Sequence, residues 1–338
     1  MSSPRRTRAV VLRVLQFVVT AGLLVLVWRL ADGADAVGIL VAASPAWLVL
    51  AVALLILHTV LGALRWRVTA APLGIDLTRR RAVAEYFLAQ LANTALPGGV
   101  LGDAGRAARS RHEAGLAPAA GAVVLERAIG QLALLVVLGA AFVGTLALPS
   151  GITWPPGVAI ALAVALSIAW TVTLVAAVAA RRSSPDTRGR LARVFAGIRT
   201  STAAPGVAVR QVLLSAGTTA SLLSAFACCA LAVGAPMSPV AVAAVVPVVL
   251  FAMLLPISIG GWGVREGAAV ALLPIAGLSG AQALAASVAF GICALASVLP
   301  GFAAVWSSRH SASRGAMAGS RARESSHPST IAPAEEPS

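Results

Sequence analysis

The feature that most constrains this chain is its alternation of long apolar runs with short clusters of arginine. About 20 apolar helical residues cross the hydrocarbon core of a bilayer. In that medium every backbone N–H and C=O must be satisfied within the chain, so only helices and closed barrels span it. The runs here far exceed the roughly 10-residue alternating strands of a barrel. The expected fold is therefore all-α, a polytopic membrane helix bundle. Composition agrees: 59% of the 338 residues are hydrophobic, 11% are charged and the mean hydropathy is +0.90.

A net charge of +14 invites a nucleic-acid reading, but the placement of the charge argues against one. All 26 basic residues are arginine, and nearly all flank apolar runs. That is the positive-inside pattern, which marks cytoplasmic loops, and such clusters also attract anionic headgroups. Arg5, Arg6, Arg8 and Arg13 precede the first run, and Arg309, Arg314, Arg321 and Arg323 follow the last. Both termini are expected in the cytoplasm, with the chain in a bacterial inner membrane and no nucleic-acid partner. Ala34-Asp35-Ala36 resembles a signal-peptide cleavage site but lies some way past the first run, so an uncleaved first helix is expected.

Runs 14–27, 45–64, 118–148, 157–180, 212–233 and 281–306 read as full spans. Two other runs break the pattern. Run 82–96 is short, carries Glu85, Gln90 and Asn93, and ends at Pro97-Gly98-Gly99. A full crossing there would put Arg106, Arg109 and Arg111 outside, so a re-entrant hairpin fits the charges better. Run 240–258 contains Pro247 and Pro256 and leads into Gly260-Gly261-Trp262-Gly263, followed by a short apolar piece, 267–275. The bundle is expected to hold about eight transmembrane helices with two Gly/Pro-broken re-entrant segments. Residues 1–306 form the expected membrane domain. Residues 307–338, rich in Ser, Ala and Pro, form an expected disordered cytoplasmic tail.

The two broken segments echo each other. Gly98-Gly99 and Gly260-Gly261 are 162 residues apart, as are Ala114-Gly115-Leu116 and Ala276-Gly277-Leu278. Paired Gly/Pro-interrupted apolar segments in two halves of a chain point to a transporter binding site. Residues with chemistry cluster near these breaks. Charge inside a membrane costs about 2.5–3.5 kcal/mol per residue on insertion scales, so Glu126 and Arg127, inside a span, demand a role. Adjacent helical residues point about 100° apart, so each is expected to have its own partner. Asp103 and Arg106 share a face if their segment is helical. A half-helix starting near Val264 would turn its N–H groups toward an anion. Arg265 is then a candidate phosphate clamp, with Glu266 orienting it or binding a cationic headgroup. The plainer readings are interhelical ion pairs, a capped helix start and an ordinary loop. His58 reads as a structural hydrogen-bonding residue, and Trp262 as a headgroup platform or a belt residue. Cys228, Cys229 and Cys293 lie in apolar runs without metal-ligand spacing. No catalytic triad, zinc motif or phosphate-cradling loop stands in the sequence, so no cofactor is expected, nor direct drive by ATP.

The run from Leu96 through Pro97-Gly98-Gly99 to Asp103 and Arg106 resembles the first signature of the lysylphosphatidylglycerol synthase transmembrane region, or flippase-like domain family. Val124-Leu125-Glu126-Arg127 resembles its next element, and Leu255 to Glu266 its second signature. The resemblance implies a bundle of about eight helices with re-entrant segments. It implies a lipid translocase moving a phosphate-bearing phospholipid or polyprenyl-phosphate lipid between leaflets. Its partners would be membrane lipids, anionic or aminoacylated, with a glycosyltransferase or synthase as a further partner. No soluble synthase domain accompanies the membrane region here, so lysyl transfer is not carried over and the chain reads as a transporter rather than an enzyme. The alternative is a membrane-embedded enzyme subunit, or a scaffold, for lipid-linked glycan or aminoacyl-lipid synthesis.

Overall fold

A computed structural model describes residues 4–95, 100–149, 151–182, 205–255 and 257–302. Every regular element among them is helical. Helix α1 (Pro4–Leu30) turns sharply into α2 (Gly33–Val41), the two axes meeting at 88° beside Asp32, which takes a positive φ of 54°. Helix α3 (Pro45–Ala70) is followed by a 3-10 turn (Ala71–Leu73), α4 (Arg79–Ala95), α5 (Leu101–Ala114), α6 (Leu116–Ala147) and α7 (Pro156–Arg182). Then come α8 (Pro205–Ala232), α9 (Pro239–Ala252), α10 (Val264–Leu272), a second 3-10 turn (Leu273–Ala276) and α11 (Gly280–Ser297).

The sequence chemistry of the helix starts is visible. Pro45, Pro156, Pro205 and Pro239 each open a helix, where the missing N–H costs nothing. Ser238 and Ser279 cap the helices they precede, each hydroxyl accepting from a backbone N–H of the first turn. Among the described residues five helices are long and apolar enough to cross a bilayer, and six if the bent α1–α2 pair counts as one span. Of the about eight helices expected, length and composition support five to six as spans. The chain is a multi-pass α-helical membrane protein.

Helices α3 and α8 lie antiparallel. Ser44 at the start of α3 donates its N–H to the Ala232 carbonyl at the end of α8, 2.9 Å away. Toward the other end, Gln211 Nε2 donates to Thr69 Oγ1 at 2.8 Å. This pairing fixes where the two hairpins enter. The α4–α5 hairpin starts where α3 ends, and Arg67 of α3 donates to the Leu77 carbonyl just before it. The α9–α10 hairpin starts where α8 ends, beside the start of α3. The two hairpins therefore enter the bundle from opposite ends. Their elements correspond in order: α4, α5 and α6 are matched by α9, α10 and α11. Gly115 and Gly277, 162 residues apart, close the two short-helix units with φ of 91° and 89°. Asp103 and Glu266 are each the third residue of their short helix. The internal repeat read from the sequence thus has an inverted arrangement.

Candidate functional site

The first hairpin is held by a buried charge cluster centred on Glu126. This residue lies about 15 Å along α6 from Leu116 and is 0% exposed. Its Oε1 accepts from Arg65 Nη2 at 2.7 Å, Arg65 Nε at 3.3 Å and the Tyr86 hydroxyl at 3.2 Å. Its Oε2 accepts from Arg106 Nη2 at 3.3 Å. The Arg106 guanidinium, 1% exposed, sits between the rings of Trp66 and Tyr86, 4.5 Å from each centroid. Stacking of this kind favours a cation, more so when it is desolvated. Arg106 Nη2 also donates to Asp103 Oδ1 at 3.1 Å, one turn away on α5, as their spacing predicts.

Asp103 links this cluster to its neighbours. Its Oδ2 accepts from Asn93 Nδ2 at 3.2 Å and lies 2.5 Å from Arg127 Nη2. The Asn93 Oδ1 accepts the Gly102 N–H at 2.7 Å, so α4 supplies a partner for one of the free N–H groups that begin α5. The approach is close: a Cβ on Gly102 would stand 2.0 Å from the Ala89 carbonyl oxygen. On the far side Arg65 Nη1 donates to Thr218 Oγ1 at 3.0 Å, joining α8. Glu126 and Arg127 do take separate partners, as helix geometry requires. Arg109, with Glu85 at 2.6 Å, forms an outlying exposed pair.

The second hairpin has a smaller, neutral cluster. Helix α10 begins at Val264, and the Glu266 Oε2 accepts the Gly263 N–H at 2.6 Å. Gly263 has a φ of 84°, and a Cβ there would meet Leu23 Cβ at 2.8 Å, so only glycine fits both the turn and the contact with α1. The Glu266 Oε1 accepts from Arg265 Nη2, and from Arg265 Nε at 3.0 Å. Arg265 Nε lies 3.2 Å from the Ser287 hydroxyl. The guanidinium sits 4.8 Å from the Trp262 ring and 5.7 Å from that of Phe290. Arg265 is 2% exposed and Glu266 0%. Each half of the chain therefore buries one arginine between two aromatic rings and anchors it to a carboxylate.

Between the two clusters lies a cavity of about 600 Å³. The hairpin breaks meet in its wall: Thr94 and Val100 come from the first, Ser258, Gly260 and Gly261 from the second. A Cβ on Gly260 would stand 3.5 Å from the Thr94 carbonyl oxygen. Gly260 and Gly261 take φ of 59° and 81°. Helix α3 contributes His58 and Thr59, α4 contributes Gln90 and Asn93, and α6 contributes Arg127 and Gln131. His58 Nδ1 pairs with the Thr218 carbonyl at 2.9 Å, the structural role expected of it. The remaining wall is apolar, including Leu134, Leu222, Leu250 and Phe290.

Of the candidate binding residues read from the sequence, Arg127, Gly260 and Gly261 line this cavity, beside His58, Gln90 and Asn93. Asp103 pairs directly with Arg127, and Arg106 links Asp103 in turn to Glu126. Arg265 and Glu266 pair with each other and do not line the cavity. Gly98 and Gly99 lie outside the described residues. Sequence reading overlooked Arg65, Trp66, Tyr86 and Ser287. Arg65 looks like a cytoplasmic flanking arginine, yet it is buried inside α3, which continues to Ala70. The signal available was the unpaired need of Glu126, which no charge within its own helix meets.

No curated protein and no solved structure matches the chain significantly. The family described as the lysylphosphatidylglycerol synthase TM region matches residues 13–301, which take in both hairpins, both charge clusters and the cavity between them. With that match over most of its length, the chain belongs to the lysylphosphatidylglycerol synthase TM region family.

Proposed function

We propose that the protein is a lipid translocase that moves a phosphate-bearing phospholipid or polyprenyl-phosphate lipid between leaflets, with both termini cytoplasmic. The observation that carries this reading is the cavity, apolar over most of its wall, where two broken hairpins, entering from opposite ends, meet beside Arg127. Inverted repeats with discontinuous helices are a recurring transporter plan, and their sites lie where the broken segments meet. Arg127 is the residue that meets the phosphate in this mechanism, in place of Arg265. Its side chain is 41% exposed and stands in the cavity wall. Arg265 is committed to Glu266 and shielded by Phe290. Asp103, itself held by Arg106, keeps Arg127 in place, while the Arg265–Glu266 pair holds the second hairpin on its glycines. The headgroup crosses through the cavity and the acyl chains stay in lipid.

The test is leaflet exchange in proteoliposomes with labelled phospholipids and polyprenyl-phosphates. Faster exchange of one class, lost in Arg127→Ala while the protein stays folded, is the expected result. Folded wild-type protein that exchanges no lipid would defeat the proposal. A covalently altered lipid recovered from the vesicles would point to a membrane-embedded enzyme instead.

A further inference from the structure

Resting on the translocase reading for its site, we infer that the cavity selects a net anionic headgroup and rejects one carrying a net positive charge, such as an aminoacylated phosphatidylglycerol. The inference comes from where the charges are spent. Arg127 and His58 are the ionisable side chains among the described cavity-lining residues, and neither is acidic.

The nearby carboxylates are already engaged. Asp103 places one oxygen on Arg106 and the other on Asn93 and Arg127. Glu126 places one oxygen on Arg65 and Tyr86 and the other on Arg106. Glu266 spends one on Arg265 and the other on the Gly263 N–H. None of them lines the cavity to receive an ammonium group, and a buried ammonium without a carboxylate pays its desolvation uncompensated. Arg65, Arg106 and Arg127 face only Asp103 and Glu126, so the first cluster keeps one positive charge in surplus. That surplus sits beside the cavity, with Arg127 at its wall. Selectivity built from one attraction and one missing partner is the usual way a site tells two ligands apart.

The experiment is native mass spectrometry of the full chain with equal amounts of phosphatidylglycerol, phosphatidylethanolamine and lysyl-phosphatidylglycerol, with leaflet exchange measured on the same preparations. Wild-type protein should retain phosphatidylglycerol about tenfold or more over the lysyl lipid, the scale of one charge-assisted hydrogen bond. Arg127→Gln should erase that preference. Gln131→Glu, which places a carboxylate one helical turn from Arg127 on the cavity wall, should erase or invert it. Equal or better retention of the lysyl lipid by wild-type protein overturns the inference, as does a preference unchanged in both folded variants. Anionic preference without exchange would defeat the translocase reading and leave this inference standing. Exchange without preference would do the reverse.

Discussion

Replacing Glu126 by glutamine isolates what the first cluster contributes. Glutamine keeps the shape and one acceptor oxygen but removes the charge. Three guanidiniums, those of Arg65, Arg106 and Arg127, would then face Asp103 alone. Breaking a buried ion pair by removing one partner costs about 3–5 kcal/mol, because the other charge stays buried. Arg65 would keep Thr218, and Arg106 would keep Asp103 and its two rings. The expected loss is therefore near the lower end, about 3 kcal/mol. At about 2–4 °C per kcal/mol for larger domains, the melting temperature should fall by on the order of 10 °C. A thiol-reactive dye in detergent suits the measurement, since Cys228, Cys229 and Cys293 are all free and buried and become reactive as the bundle opens. Adding Arg65→Gln removes the stranded cation. The double variant should lose at least about 1 kcal/mol less than the two single losses combined, the coupling expected of direct contact. A Glu126→Gln protein that melts within about 2 °C of wild type, or single losses that simply add, would refute the cluster as the hairpin's anchor.

Two further outcomes follow from the geometry. Gly102→Ala would drive a Cβ into the Ala89 carbonyl 2.0 Å away, while nothing lies within 4 Å of the corresponding atom at Gly121. The first change should lower stability by about 2 kcal/mol in the same dye assay and the second by about 0.5 kcal/mol or less. In a background with the native cysteines replaced, an impermeant maleimide should label Ser238→Cys from outside intact cells and Arg111→Cys only after the membrane is opened. Labelling of both from one face would refute opposite insertion of the two hairpins.

Much of the fold can be read from the chain because membrane insertion acts segment by segment. Run length and flanking arginines decide where a helix crosses, and both are local properties. That is why the spans beginning near Pro45, Leu116, Pro156 and Gly280 appear where the apolar runs put them. The break at Gly260-Gly261 is also local, since glycine takes the positive φ seen there without strain. Even the separate pairing of Glu126 and Arg127 was legible, because it needs only the 100° step between neighbours.

The identity of the partners is a different matter. Arg65 reaches Glu126 across 61 positions in the chain, and nothing near either residue announces the other. Arg65 looks like a flanking charge until the depth of α3 beside α6 is known. Which arginine reaches the cavity also depends on packing: Arg265 has the stronger local motif, yet Glu266, Trp262 and Phe290 enclose it. Arg127, with a plainer setting, lines the wall. The sequence by itself determined a helical membrane bundle with two broken segments, because bilayer solvation and backbone sterics act on each segment alone. Only the tertiary structure decided that the hairpins enter from opposite ends, that their breaks share one cavity, and that Arg127 is the charge exposed to it, because depth and rotation of one helix against another arise from contacts far apart in the chain.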